Sequence, residues 1–318
     1  MSNLPQPIRK AGRTVLDYKD WILSRYWLNM VQTNPEKHAM YEMKRQKQDL
    51  IRPVNLREPV YFHEKTLWLT YYIYNKSPLI AQCYNKYEVR DYIISKGLGH
   101  ILNELYGVWE SINDIPWDTL PGEYVMKISN GYGNHVFKRR DQEFNIKSAK
   151  KQLKKIKKKY SYYYMNIGNL FVGGTKQHII CEKMLYSRLG RSAPEDYKFH
   201  CFHGKPMFIE CIKDRHNTSN YTSAFVDMDF QDRHDLEGEA SPGTIDPPKC
   251  YDEMLEIAKI LSKDFPYVRV DLYDGEEHPI FGELTFTPFY KQTRTSQIEL
   301  GKLLDVSDLD EYAPLLRR

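Results

Sequence analysis

The chain has 318 residues and 46 Lys and Arg against 42 Asp and Glu, a net charge of +4, with 41% hydrophobic and 28% charged residues. That composition excludes disordered and fibrous classes and suits a soluble globular protein of one large or two to three small domains, able to bury a core without staples. A mean hydropathy of −0.64, with no apolar run near the ~18 residues that span a bilayer, excludes a transmembrane helix, and the opening MSNLPQPIRKAGR carries no secretory apolar segment.

In chain order, residues 14–50 place Trp21, Ile22, Tyr26 and Met30 near helical spacing, with a break at Pro35, and predict two helices. A second helical zone is expected over 65–74 and 87–105, closed by the loop NDIPWDTLPG near 113–122. There the pattern switches. Tyr124, Met126 and Ile128 alternate with Val125, Lys127 and Ser129 as a strand that stops at Asn130-Gly131-Tyr132-Gly133-Asn134. A lysine-rich helix over 147–160 is followed by the apolar strand HIICEKML and by DYKFHCF and MFIECI, read as a hairpin about His203-Gly204-Lys205-Pro206. Residues 213–249 lack periodicity and are expected to form a long loop. An amphipathic helix then carries Met254, Ile257, Ala258, Leu261 and Phe265, the strands YVRVDLY and IFGELTF turn about Asp274-Gly275, and a polar helical tail closes the chain. Helices first, and strands mixed with helices later, predict an α+β fold.

Five cysteines, an odd number, widely spaced and never in CxxC, fit reduced thiols in a cytoplasmic protein rather than a zinc framework. The 25 tyrosines and the small positive charge raise nucleic acid as a partner. Residues 138–159 hold eleven Lys or Arg and two acids, a local +9, so the rest of the chain sums to −5. The basicity belongs to one segment, read as a solvated helix with Leu153 and Ile156 as its apolar contacts, and no nucleic-acid-binding signature accompanies it. No nucleic-acid partner is therefore expected.

The terminal hairpin is the strongest chemical signal. Val268, Val270 and Leu272 face one way, so Arg269 and Asp271 face the other, and Glu283 and Thr285 share the matching face of the next strand. Asp271 is expected diagonal to Glu283, and two hard oxygen donors there suit Mg²⁺; an Arg269–Asp271 ion pair on a solvated sheet face is the competing explanation. Lys127 before the glycine turn with Gly131 and Gly133 suits a polyphosphate, since glycine admits close backbone approach and lysine supplies a point charge; a plain strand-ending turn is the alternative. Glu182 and Lys183, with Met184 and Leu185 as an apolar wall, could border an adenine, and Asp196 with Lys198 on one strand face could meet a ribose hydroxyl and a phosphate or form a surface ion pair. No serine elbow, HExxH or Cys/His pair is present, so hydrolase chemistry has no support.

Read in order, Lys86, Lys127, the GYG turn, Glu182, Asp196, Arg269-x-Asp271 and Glu283-x-Thr285 resemble the layout of ATP-grasp ligases, D-alanine–D-alanine ligase among them. The text FHEKTLWLTYYIYNKSPL, NKYEVRDYI, LPGEYVMKISNGYGNHV, HIICEKML, DYKFHCFHGKPMFIE, EIAKILSKDFPYVRVDLY and FGELTFTPF, over roughly 55–290, is more similar still to the TupA-like branch of teichuronopeptide biosynthesis. The resemblance implies an ATP-grasp fold with a helical N-terminal region over 1–115, a lid subdomain over 116–185 and a C-terminal subdomain with the metal site over 186–318. It implies Lys86 and Lys127 on ATP phosphates, Glu182 to Leu185 at adenine, Asp196 at ribose, and Asp271 and Glu283 on Mg²⁺. Thr285 stands where many such enzymes have a metal-binding asparagine, and Asn85 replaces the usual aspartate before the lysine. Arg269, and Arg215 in the long loop, would face the acyl phosphate or its carboxylate precursor.

The implied activity is ATP-dependent carboxylate–amine ligation through an acyl phosphate, joining an amino acid or other amine to a uronic acid, presented as a sugar nucleotide, of a capsular or cell-wall polysaccharide precursor. Residues 131–180 are the expected closing lid, because an acyl phosphate must be kept from water. A sugar phosphotransferase or a glycosyltransferase is the alternative enzyme class, the latter distinguished by making no ADP from ATP. A binding protein that kept only the fold is disfavoured by intact Lys127, Asp271 and Glu283.

Overall fold

The computed structural model describes residues 25–131, 133–161, 176–190, 193–213, 222–236, 247–288, 292–309 and 312. Helical residues 25–33 (α1) and α2 (Pro35–Arg45) part at Asn34, whose side chain accepts from Lys37 N at 3.0 Å while Pro35 occupies the first helical turn. Proline there needs no N–H partner, so the predicted break restarts a helix. Helix α3 (Phe62–Tyr72) begins where the fully buried Glu64 accepts from Arg52 at 2.8 and 2.9 Å and from the N–H groups of Asn55, Val60 and Tyr61. Lys65 donates to the carbonyls of Gly301 and Leu304, tying this helix to the C-terminal α8 (Arg294–Leu303).

After α4 (Pro78–Tyr84), helix α5 (Val89–Ser95) is shorter than the stretch expected to Leu105. Gly97, with φ 77°, ends the helix in the left-handed region that favours glycine, and by Leu105 the chain is already strand β1 (Leu105–Trp109). β1 joins β2 (Tyr124–Ile128), β3 (Val136–Lys138) and β4 (Ile179–Glu182) in an antiparallel sheet of order β1-β4-β2-β3. Helix α6 (Ile146–Ser161) lays Ala149, Leu153 and Ile156, residues at helical spacing, on Tyr124, Met126, Ile128, Ile179 and Cys181. Its lysines thus lie behind the sheet, while Val125 and Lys127 alternate to the other face.

The second sheet, of order β7-β6-β5-β8-β9, is also antiparallel. It comprises β5 (Asp196–Phe202), β6 (Lys205–Lys213), β7 (Thr222–Val226), β8 (Tyr267–Tyr273) and β9 (Ile280–Thr285). β7 corrects the expectation of an unbroken loop over 213–249: its small residues Ser223 and Ala224 mask the alternation, and backbone pairing with β6 defines the strand. Met254, Ile257, Ala258 and Leu261 of α7 (Tyr251–Ser262) join Phe199, Val268, Val270 and Leu272 in the main core. All five cysteines are free thiols, four of them buried, and no helix among the described residues is long and apolar enough to cross a membrane.

Candidate active site

With the apolar side of β8 turned to α7, its alternate residues carry charge onto the opposite face. Register places His200 beside Arg269 and Lys198 beside Asp271, and places Lys198 beside Glu210 on β6. The pair expected on a solvated face is buried instead: Arg269 is 9% and Asp271 2% exposed. Arg269 Nε and one Nη donate to the two Asp271 oxygens, each at 2.7 Å, a bidentate fork within one strand. Lys198 Nζ bridges Asp271 at 2.5 Å and Asp196 at 2.8 Å. The Asp196–Lys198 pair is therefore a buried strut and not a surface ion pair.

Glu283 lies directly opposite Asp271 rather than diagonal to it. A bulge between Asp271 and Leu272 causes the difference, with Gly282 as the extra residue opposite: a Cβ there would meet the Asp271 carbonyl oxygen at 2.9 Å. Thr285 links Arg269 to Glu283, its hydroxyl accepting from Arg269 at 3.2 Å and donating to Glu283 at 3.3 Å. Burial pushes the Asp271 carboxyl up against the opposing pull of Arg269 and Lys198.

Lys86 reaches this edge from the turn before α5. The Asn85 side chain accepts from Tyr87 N at 3.0 Å, and Lys86 N donates to the Ser129 carbonyl at 2.8 Å, fixing the lysine against the end of β2. An amide oxygen builds this turn as an aspartate would. Lys86 Nζ stands 3.6 Å from Glu283 Oε2, and Lys127 Nζ is 2.7 Å from Glu182 Oε2.

Between the sheets lies a cavity of about 260 Å³ lined by Lys127, Gly133, Lys183, Met184, Leu185 and Asp196, with Val125, His135, Arg139 and Tyr273. A smaller adjoining space of about 40 Å³ is lined by Lys86, Lys127, Glu182 and Leu185. Most of the predicted nucleotide residues thus converge. Gly133 has φ 68° with nothing within 4 Å of a would-be Cβ, so backbone conformation sets its requirement. Gly131 supports the same turn, donating to the Ile128 carbonyl at 2.9 Å without lining the cavity. Lys198 lies beneath it, and Arg215 falls outside the described residues.

The profile of the TupA-like ATPgrasp family matches residues 64–304, and so spans both sheets and every converging residue. The chain belongs to the TupA-like ATP-grasp family. Its α+β architecture of two antiparallel sheets is the ATP-grasp fold. Among solved structures, D-alanine–D-alanine ligase from Bacillus anthracis complexed with ATP is similar at 13% identity and TM-score 0.43, over 76% of this chain and 66% of that one. The Helicobacter pylori D-alanine–D-alanine ligase gives 16% and 0.45 over 76% and 68%. The ATP-grasp ligase PsnB complexed with minimal precursor gives 11% and 0.38 over 72% and 62%. This chain spans about two thirds of the length of those proteins, and no curated protein matches it.

In this ATP-grasp chain three site residues escape the sequence motifs. Glu210 is buried with its Oε2 3.7 Å from Arg269 and 3.8 Å from His200, the latter too long for a hydrogen bond. Burial would raise the Glu210 carboxyl, but the neighbouring His200 ring and the fields of Arg269 and Lys198 hold it down to about 2. His200 stacks on Phe208 and shares a 2.8 Å hydrogen bond with the Tyr267 hydroxyl; burial depresses it to about 4, leaving it neutral near pH 7. The sequence signal for Glu210 is a lone charge inside the apolar run MFIECI. His135 follows the glycine turn, and burial, then the fields of Lys127 and Lys86, lower it to about 3. Its position one residue past Asn134 is the only signal available.

The donor set suits the metal of this fold. Asp271, Glu283 and Thr285 offer oxygen alone, as Mg²⁺ prefers, and the Glu283 side chain, 42% exposed, opens toward the cleft. Asp271 would share its carboxylate with Arg269 and Lys198, because both of its oxygens already meet cations.

Proposed function

We propose that this chain is an ATP-dependent carboxylate–amine ligase that uses Mg²⁺ and joins an amino acid or other amine to a uronic acid of a capsular or cell-wall polysaccharide precursor. The observation carrying this reading is the 3.6 Å approach of Lys86 to Glu283, which puts a cation able to bind phosphate beside a carboxylate and joins the nucleotide cavity to the Arg269–Asp271 face. A site of lysines, a buried arginine, paired carboxylates and glycine-turn amides suits phosphoryl transfer, where positioning and charge neutralisation supply most of the catalysis.

Val125, Met184 and Leu185 provide apolar contact for a base, with Lys183 and Glu182 at its edge, and Asp196 is placed for a ribose hydroxyl. Lys86 and Lys127 take the phosphates, releasing Glu283 and Glu182. Asp271, Glu283 and Thr285 would hold Mg²⁺, which when bound would supply charge neutralisation at the transferring phosphoryl group. Arg269, together with Arg215, which lies outside the described residues, orients the substrate carboxylate. An oxygen of that carboxylate attacks the γ-phosphorus as ADP leaves; the amine nitrogen then attacks the acyl carbon, phosphate departs, and the amine proton passes to solvent.

The division at 115 and 185 follows this assignment, with β1 of the first region completing the lid sheet. The expected lid over 131–180, of which 132 and 162–175 lie outside the described residues, assigns the closing part to the glycine turn and the strands and helix around it, and ATP use with reduced thiols fits a cytoplasmic enzyme. The test is incubation with MgATP, a UDP-linked uronic acid and amino-acid pools, following ADP and product mass. Amide product with amine-dependent ADP release is expected; ADP release indifferent to the amine would exclude ligation.

A further inference from the structure

Away from the cleft, three side chains from distant parts of the sequence meet at the surface. His100 sits in the 3-10 turn Gly99–Ile101 leading to β1, Glu253 in the first turn of α7, and His278 in the connection between β8 and β9. Glu253 Oε1 lies 3.2 Å from His100 Nε2 and 3.2 Å from His278 Nδ1, and the three ligand atoms all fall within 4.8 Å of one another.

Those separations have a specific meaning. Zinc bonds of about 2.0–2.1 Å in tetrahedral directions set neighbouring donor atoms about 3.3 Å apart. Two edges of the triangle therefore already have the required length, and the third, within 4.8 Å, is closed by rotating an exposed ring. Two imidazoles and one carboxylate are donors of borderline softness, suited to Zn²⁺ and unlike the oxygen-only set at Asp271 and Glu283. All three side chains are more than a third exposed, at 45, 36 and 56% for His100, Glu253 and His278, so a solvent molecule can complete the fourth position.

We propose that His100, Glu253 and His278 form a Zn²⁺ site distinct from the Mg²⁺ carboxylates. Bound there, the ion clips the β8–β9 connection to α7 and to the segment entering the lid sheet. This hairpin carries Asp271 and Glu283, so the clip fixes from outside the connection that joins their two strands. The site stands whether or not the chain is a ligase.

The test is calorimetric titration of the full chain with ZnCl₂ in excess Mg²⁺, which masks the hard-oxygen carboxylates. One equivalent is expected to bind and to raise the melting temperature. His100→Ala, His278→Ala and Glu253→Gln each weaken binding by about tenfold or more, since outer-sphere partners alone are worth ~10–100-fold. Co²⁺ substitution distinguishes this site from one using nearby Cys250: visible d–d absorption without a thiolate charge-transfer band supports the proposal. A thiolate band, no stoichiometric uptake, or uptake undiminished in the His100→Ala and His278→Ala variants overturns it. The exposure of the replaced side chains leaves the fold intact, which circular dichroism verifies.

Discussion

The two sheets handle charge in opposite ways. On the five-stranded sheet Asp196, Lys198, Glu210, Arg269 and Asp271 are all buried and mutually compensated. On the four-stranded sheet the lysines of α6 lie behind the strands, and among its described side chains α6 buries Ala149, Leu153 and Ile156 there. Buried charge is fixed in place by its partners and costly to unpair, whereas exposed charge is screened and acts over distance. The five-stranded sheet is therefore suited to holding groups in fixed positions, and α6 to attracting an anion over distance. Variants of the buried charges on the five-stranded sheet should lose stability and turnover together, whereas variants of the α6 lysines should change encounter alone.

Arg269→Met should have the largest effect. It strands Asp271 and Glu210 without their shared cation and should cost about 3–5 kcal/mol in urea unfolding, along with loss of turnover. Glu283→Ala separates the two consequences: at a half-exposed position it should change stability by less than about 0.5 kcal/mol, while turnover falls about 100-fold or more. Equal stability losses in the two variants would erase the distinction between buried strut and open ligand.

Acid should probe the same sheet. The Glu210 carboxyl is held at about 2, below its ordinary 4.5, so its stabilisation is complete above the ordinary value and disappears as pH falls through the folded one. At ~1.4 kcal/mol per unit the loss is about 3 kcal/mol. Urea midpoints of wild type and Glu210→Gln should therefore converge between pH 5 and pH 2. The smallest effect is expected in α6: changing Lys151, Lys154, Lys155 and Lys158 to Gln should leave the melting temperature unchanged and raise KM for an anionic substrate at low salt only.

Much of this contrast is legible in the sequence because alternation is a local rule. Val268, Val270 and Leu272 announce which way Arg269 and Asp271 point, and Leu153 and Ile156 announce the buried stripe of α6. What is not local is missed. The diagonal placement of Glu283 fails because a bulge at Gly282 shifts the register by one residue. Burial of the Asp196–Lys198 pair depends on Asp271, 73 residues from Lys198, and Glu210 and His135 join the site only through sheet pairing and the fold of the glycine turn. The helix predicted to Leu105 stops at Gly97, whose left-handed conformation a period count does not register. The lysine helix, expected over the nucleotide, packs on the outer face, and Lys127, Arg139 and Lys183 supply the cations that line the cavity.

The proposed ligation turns on an acyl phosphate formed over Asp271, Glu283 and Arg269. Its most direct test uses a uronic acid substrate labelled with oxygen-18 in the carboxylate, with MgATP and an amine, and mass analysis of the phosphate released. One labelled oxygen transferred to phosphate for each amide formed is the predicted result. Unlabelled phosphate alongside labelled product would contradict it.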